Sequence, residues 1–334
     1  MEVLVKAVKT LISLTVLAML MISCGNNGSE PRFKLIDLPE KQKVEVWIDD
    51  DLFTSYIYPD QLKKPVLYPI KTASGKAITR GFPLEPLPGE RTDHPHHVGL
   101  WMNYGDVNGL DFWNNSSARP EEDKHLYGTI LHKEVRSIQG RKGIGSLDVV
   151  NAWRTPDGDV LLEEYTQFIF SASGSSRTID RITTLQAMSQ EVNFIDNKEG
   201  MFALRVAGAM ELPSGNYLSS EGIEGEGVWG TRARWMKLSS TMEEEKVNVV
   251  IFDHPDNVGY PTYWHARGYG LFAANPLGQA VFSNGEQVLN FKLAPNESVS
   301  FKFRILIHSG KRLYPSSIDI VADEFAKLQT PAID

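Results

Sequence analysis

The segment ESVSFKFRILIHSG, residues 297–310, sets Val299, Phe301, Phe303, Ile305 and Ile307 on one side of an extended chain and Ser298, Ser300, Lys302 and Arg304 on the other. Successive side chains of a strand point to opposite faces, so this pattern describes a strand with one buried face, and only Leu306 interrupts it. Shorter runs of the same kind recur at 43–49, 52–58, 128–138, 145–155, 159–171, 176–187, 201–208, 233–240, 246–253 and 287–294. Turn signals such as Pro156-Asp157-Gly158 and Ser173-Gly174-Ser175-Ser176 separate them. One helix is predicted after Pro315, where Ile318, Val321, Phe325 and Leu328 follow helical spacing with Ser316 or Ser317 as N-cap. These features predict an all-β protein, a large antiparallel β-sandwich with one C-terminal helix.

The N-terminus is read separately. Lys6 and Lys9 precede an apolar run from Leu11 to Ile22, too short for a comfortable membrane span, and Ser23-Cys24-Gly25 follows it. This predicts a lipoprotein signal over 1–23, lipid attachment at Cys24, a polar tether over 24–32 and one sandwich domain over 33–334. The expected place is the cell envelope, periplasmic or on the outer-membrane surface, with the membrane touched only through the lipid. The formal charge is -8, and loss of Glu2, Lys6 and Lys9 makes the mature chain one unit more acidic. An acidic chain without a basic run is not expected to bind nucleic acid. Cys24 is the only cysteine, so its acylation leaves no thiol for disulfides, metal or nucleophilic attack.

The stretch DHPHHVGLWMNYGDVNGLDFW, residues 93–113, places three of the chain's eight histidines within four positions. His94, His96 and His97 form a residue set that zinc, iron or copper accepts, and Asp93 with His94 and His96 would make a two-histidine, one-carboxylate set. The compact metal motif of cupin barrels wants a glutamate a few residues on, whereas Val98, Gly99, Leu100 and Trp101 follow here. A His/Glu acid–base or substrate-binding cluster therefore leads, no cofactor is expected with it, and a divalent metal on His94, His96 and His97 is the alternative.

Sugar sites combine planar aromatics with short carboxylates and amides that hold hydroxyls. Trp101, Tyr104, Asp106, Asn108, Asp111 and Trp113 supply that mixture, although the same residues are ordinary turn formers and core aromatics. SSEGIEGEGVWGTRARW, residues 219–235, adds Glu221, Trp229 and Arg232. FDHPDNVGYPTYWHARGYGLFAANPLG, residues 252–278, adds Asp253, His254, Trp264, His265 and Arg267 and echoes Asp93-His94-Pro95. Five of seven tryptophans and five of eight histidines fall in the three stretches, which points to one shared pocket. The expected catalytic groups are His96, His97, Glu221 and His265, with Glu221 as the carboxylate partner and Arg232 or Arg267 stabilising charge on oxygen. The chain has no G-x-S-x-G elbow, Walker loop or H-E-x-x-H helix.

The order KPVLYPIKTASGKAITRGFP, DHPHHVGLW with GDVNGLDFW, EGIEGEGVWGTRARW, then FDHPDNVGYPTYWHARGYGLFAANPLG resembles a PmoA-like ("methane oxygenase PmoA") domain-of-unknown-function family of bacterial lipoproteins, over about residues 60–310. A more distant likeness joins it to galactose-mutarotase-like supersandwiches, which bind and process sugars. The resemblance implies an exported lipoprotein that binds, and processes by acid–base chemistry, a sugar or glycoside. Alternatives are a non-catalytic carbohydrate-binding lipoprotein with polysaccharide-utilisation partners, and a His-ligated metal oxidoreductase.

Overall fold

The computed structural model describes residues 30–331, so the leader and Cys24 lie outside the described residues. Pro31 and Arg32, the end of the expected tether, already bond to the body. Gly143 N donates to the Pro31 carbonyl at 2.8 Å, and Arg32 N donates to Asp49 Oδ1 at 2.9 Å.

Two antiparallel sheets of eight strands each and a two-stranded ribbon make up the β structure. Across the first sheet the order is Phe33–Leu38, Lys43–Ile48, Asp51–Ile57, Val66–Leu67, Leu100–Tyr104, Gly200–Arg205, Leu271–Asn275 and Tyr263–Ala266. The second runs Asn216–Ser219, Trp235–Met242, Glu245–Asp253, Ser298–Ser309, Ser176–Ala187, Val160–Ser173, Ile144–Arg154 and Thr129–Arg141. Their facing sides form one core, in which Phe202 stacks on Phe303 at 4.7 Å and Phe53 meets Phe170 edge-on at 6.4 Å. The alternating segment behaves as its pattern requires, with Phe301, Phe303, Ile305 and Ile307 fully buried between the sheets.

Leu306 breaks the alternation for a physical reason. It points to the outer face of the second sheet, where Trp235, Val250 and Phe252 pack against Ile318 and Phe325 of the helix Pro315–Phe325. The helix start differs from the expected serine cap. Tyr314 is the N-cap without a side-chain hydrogen bond, and Pro315 opens the helix, its fixed φ already suited to the first turn. Leu328 lies past the helix but still packs on this cluster. No described helix is long and apolar enough to cross a membrane.

The first sheet is covered on both faces near its centre. Leu100, Met102 and Tyr104 enter the inter-sheet core, while Trp101 points outward into a second apolar cluster with Tyr68, Val98, Trp113, Ala203, Leu271 and Ala273. A strand buried on both sides loses its polar alternation. That is why Leu100–Tyr104 reads as the head of a loop in the sequence, and why Tyr263–Ala266 and Leu271–Asn275 go unpredicted. The run at 287–294 contracts to Phe291–Leu293, paired with Val192–Phe194.

The Phe202–Phe303 stack ties the two sheets together. Phe303→Ala is expected to cost about 3–5 kcal/mol of unfolding free energy, read as a lower urea midpoint with an unchanged transition slope.

Candidate functional site

The histidine triplet lies where Leu100–Tyr104 enters the sheet, at the end shared with Arg205 of the neighbouring strand, since Leu100 pairs with Leu204. Gly99 makes the entry possible: its φ is +56°, and a Cβ there would stand 2.3 Å from the Leu67 carbonyl oxygen. Two buried guanidinium groups hold the loop down. Arg80 donates to Asp93 Oδ1 at 2.8 Å and to the carbonyls of Asp93, His94 and His97 at 2.9–3.1 Å. Arg205 donates to the same Asp93 oxygen at 2.9 Å. The two arginines and His94 hold the Asp93 carboxyl below its usual range, against the opposing effect of partial burial.

His94, at φ +45°, sets Nδ1 3.2 Å from Asp93 Oδ2 and stacks on Tyr269 at 5.0 Å and on His97 at 4.8 Å. His97 in turn lies over Trp101 at 5.3 Å, with Trp113 edge-on at 5.7 Å. Small residues in the sheet make room for this pile. Across the outer face Trp101 pairs with Ala203, Ala203 with Ala273, and Ala273 with His265, so two methyl groups lie between an indole and an imidazole.

His265 closes that row. Its Nδ1 is 3.0 Å from the Lys198 carbonyl and 3.7 Å from Glu199 Oε2. A carbonyl only accepts, so Nδ1 carries the proton and Nε2 is left as an acceptor. Burial first, then the charge of Lys198, lowers His265 to about 3. Tyr269 lies beneath the Arg205 guanidinium at 5.0 Å, exposed Arg267 lies over Trp229 at 5.7 Å, and Phe282 is edge-on to both Trp229 and His265. His94, His97, His265, Arg267 and Trp229 thus share one neighbourhood on the outer face of the first sheet. His96 stands edge-on to His97 at 4.4 Å and to His94 at 5.7 Å and also lines a cleft beside Lys64.

Other expected site residues serve the fold. Trp101, Trp113, Trp264 and Tyr104 are fully buried, the first two in the second core on the outer face of the sheet and the other two in the main core. Trp264 Nε1 donates to Ala233 O at 3.0 Å, and Tyr104 bonds Asn197. Asp106 accepts from Gly109 N, Asn108 binds the 191–193 backbone, and Asp111 accepts from the amides of Trp113 and Asn114, all as turn anchors. Arg232 donates to the carbonyls of Gly259 and Pro261 and pins their loop.

The second Asp-His-Pro is also structural. Asp253, pushed up to about 7 by burial, accepts from Asn257 Nδ2 and Thr262 N, while His254 meets Phe325 edge-on at 5.1 Å. Glu221 is exposed and bonds Ser220; the carboxylate beside His265 is Glu199 instead. Sequence reasoning also passed over Arg205 and Lys64 and gave Tyr269 of the 252–278 stretch no role. Arg205 leaves a signal, a charge at the end of the apolar run MFALR.

Parallel, stacked imidazoles cannot aim their in-plane lone pairs at one point, and His94 and His97 are only 7° apart. Among the described residues no group of three or more His, Cys, Asp or Glu is arranged to hold a metal ion.

The neutral histidines carry a pH signature. Burial lowers His96 to about 2, with Lys64 adding to it, and likewise lowers His97, His254 and His265. Unfolded, each takes a proton below about pH 6.5, so acid favours unfolding. His132 and His308 are lowered in the same way, and Asp253, between its ordinary range and about 7, and Asp106 oppose this as two groups against six. Thermal melts are expected to show stability falling as pH drops through about 6.5, with a shallower fall in His96→Gln.

No curated protein matches the sequence. Among solved structures, the chain is similar to the galactosidase domain of an alpha-galactosidase-sucrose kinase, at 11% identity and TM-score 0.39 over 83% of this chain. It spans 41% of the length of that structure. A Clostridium acetobutylicum galactose mutarotase-like protein gives 12% identity and TM-score 0.37 over 84% of this chain and 99% of the other. The Slr1438 protein from Synechocystis sp. gives 11% and 0.36 over 87% and 100%. Residues 43–322 match the family described as "Family of unknown function (DUF6807)", and the chain belongs to that family.

Proposed function

We propose that the chain binds a sugar or glycoside on the outer face of the first sheet, where His94, Tyr269, His265, Glu199 and Arg267 meet. One observation carries this reading. Neutral imidazole, phenol, carboxylate and guanidinium groups stand together over an aromatic base, with His265 Nε2 free to accept and Glu199 Oε2 3.7 Å from the same ring. Sugar hydroxyls each donate and accept, and such a mixed set satisfies them where a single-sign patch would not.

Proton transfer is the finer part of the proposal. Here Glu199 replaces Glu221 as the carboxylate, and His265 Nε2 would take the proton of a ligand hydroxyl. A non-catalytic binding protein is the second reading. It is favoured by the low proton affinity of His265, because an efficient acid–base group titrates near the working pH.

Tyr269→Ala is expected to weaken binding of the best methyl glycoside in a panel at least about tenfold, roughly 1.4 kcal/mol, by isothermal calorimetry with the melting profile retained. Affinity equal to the unaltered protein would remove the site. His265→Gln separates the two readings: lost turnover with retained affinity supports proton transfer, whereas weaker affinity and no turnover in either protein support binding alone.

The envelope location belongs to the proposal too, carried by Cys24 after the apolar run. Intact mass of the mature protein should show a diacylglyceryl-modified Cys24, and Cys24→Ser should release the protein from membranes.

A further inference from the structure

Lys64 is buried, 4% exposed, and among the described residues no carboxylate lies within ion-pairing distance of its Nζ. A buried ammonium without a counter-charge is costly, and proteins seldom keep one without a partner. Its contacts are a hydrogen bond to the His96 carbonyl at 2.7 Å and the face of Trp101 at 5.3 Å. The acid whose charge acts on it is Asp111, whose two oxygens already accept from Trp113 N, Asn114 N and Asn114 Nδ2.

A second observation concerns the same place. His96 is 6% exposed, and its Nε2 is buried with no hydrogen-bond partner. Both residues line an open cleft whose other walls include Pro95, Asn115, Ser116 and Ser117. Its enclosed space is only about 30 Å³, so it takes the head group of a ligand whose remainder stays in solvent. Asn115 spends its amide nitrogen on Gly128 O and Thr129 Oγ1, which leaves its oxygen and the two serine hydroxyls for a ligand.

We infer that this cleft binds a carboxylate group, with Lys64 as its counter-ion and His96 Nε2–H and the serine hydroxyls as donors. One ammonium and one neutral imidazole suit a monoanion better than a phosphate dianion. The carboxylate belongs either to an acidic sugar or to a small free acid, and the inference rests on the sugar reading above only for the first source. Burial lowers Lys64 to about 7, so an arriving anion finds a lysine that it can hold in the charged form.

Calorimetry at pH 6 with sodium glucuronate, methyl β-glucoside and sodium acetate tests this on the full chain. Glucuronate or acetate should bind the unaltered protein, and Lys64→Met, which keeps the apolar stem, should bind it at least tenfold more weakly. Equal affinity for acetate and glucuronate identifies a free-acid site, and tenfold tighter glucuronate identifies an acidic sugar. Should Lys64→Met not fold, acetylation of Lys64 by an N-hydroxysuccinimide ester, mapped by mass spectrometry in the unaltered protein, should slow when the carboxylate is added. The inference is overturned if neither carboxylate binds, if Lys64→Met binds equally well, or if acetylation is not slowed. Binding of the neutral glucoside that depends on Tyr269 while both carboxylates fail would leave the sugar site standing and remove only this cleft.

Discussion

Arg80 and Arg205 are both essentially inaccessible to water, and Asp93 pairs with both of them while Glu211 lies 3.6 Å from Arg205. Two guanidinium groups at this depth repel each other, and each needs a hydrogen-bond acceptor for its donors. The loop from Arg91 to His97 supplies those acceptors: its carbonyls bind Arg80, and Asp93 bridges to Arg205. The positive φ of His94, unfavourable for a residue with a Cβ, persists because leaving the arginines unpaired would cost more than adopting it. Every imidazole of the triplet therefore takes its position from a charge balance below it rather than from packing alone.

The repeated Asp-His-Pro shows how far such context decides a residue's role. At 93–95 the aspartate faces two arginines and the histidine reaches the surface. At 253–255 the aspartate caps its own loop through Asn257 and Thr262, and the histidine is sealed beneath Phe325. The tripeptide is identical, but the partners that separate the two cases are distant in sequence. Arg205 is 112 positions from Asp93, and no local pattern announces that meeting.

The same distinction explains what was legible in the sequence. Strands whose outer face carries polar side chains, such as Ser298–Ser309 and Ser176–Ala187, show their period directly even where those side chains are covered. Leu100–Tyr104 does not, because Trp101 is roofed by His97 and Trp113 while its neighbours enter the main core. The concentration of tryptophan and histidine correctly marks the region but misstates its cause. Those rings are shared among three apolar clusters, Trp101 and Trp113 in the outer layer, Trp264 in the main core and Trp235 under the helix, and the residues left at the edge of the outer layer are the ones able to meet a ligand. Glu199 was missed because Asn197-Lys198-Glu199-Gly200 reads as a plain polar turn, and its meeting with His265 requires strand pairing across the sheet.

The two ends of the histidine loop differ in charge although they share one segment. Toward His265 the acid Glu199 lies beside a neutral ring, so a bound group there must bring hydrogen-bond donors. Toward His96 an unpaired ammonium lies beside a neutral ring, so a bound group must bring negative charge. His94 and His97 lie between these ends and are fixed by stacking and by Asp93. Since Pro95 and the Arg80 bonds hold the segment at both sides of His94, a displacement of His96 by a ligand would be felt by the His97 carbonyl and through it by Arg80. The loop is thus a rigid partition between two chemically opposite surfaces, and its stiffness comes from the two buried arginines that bind it.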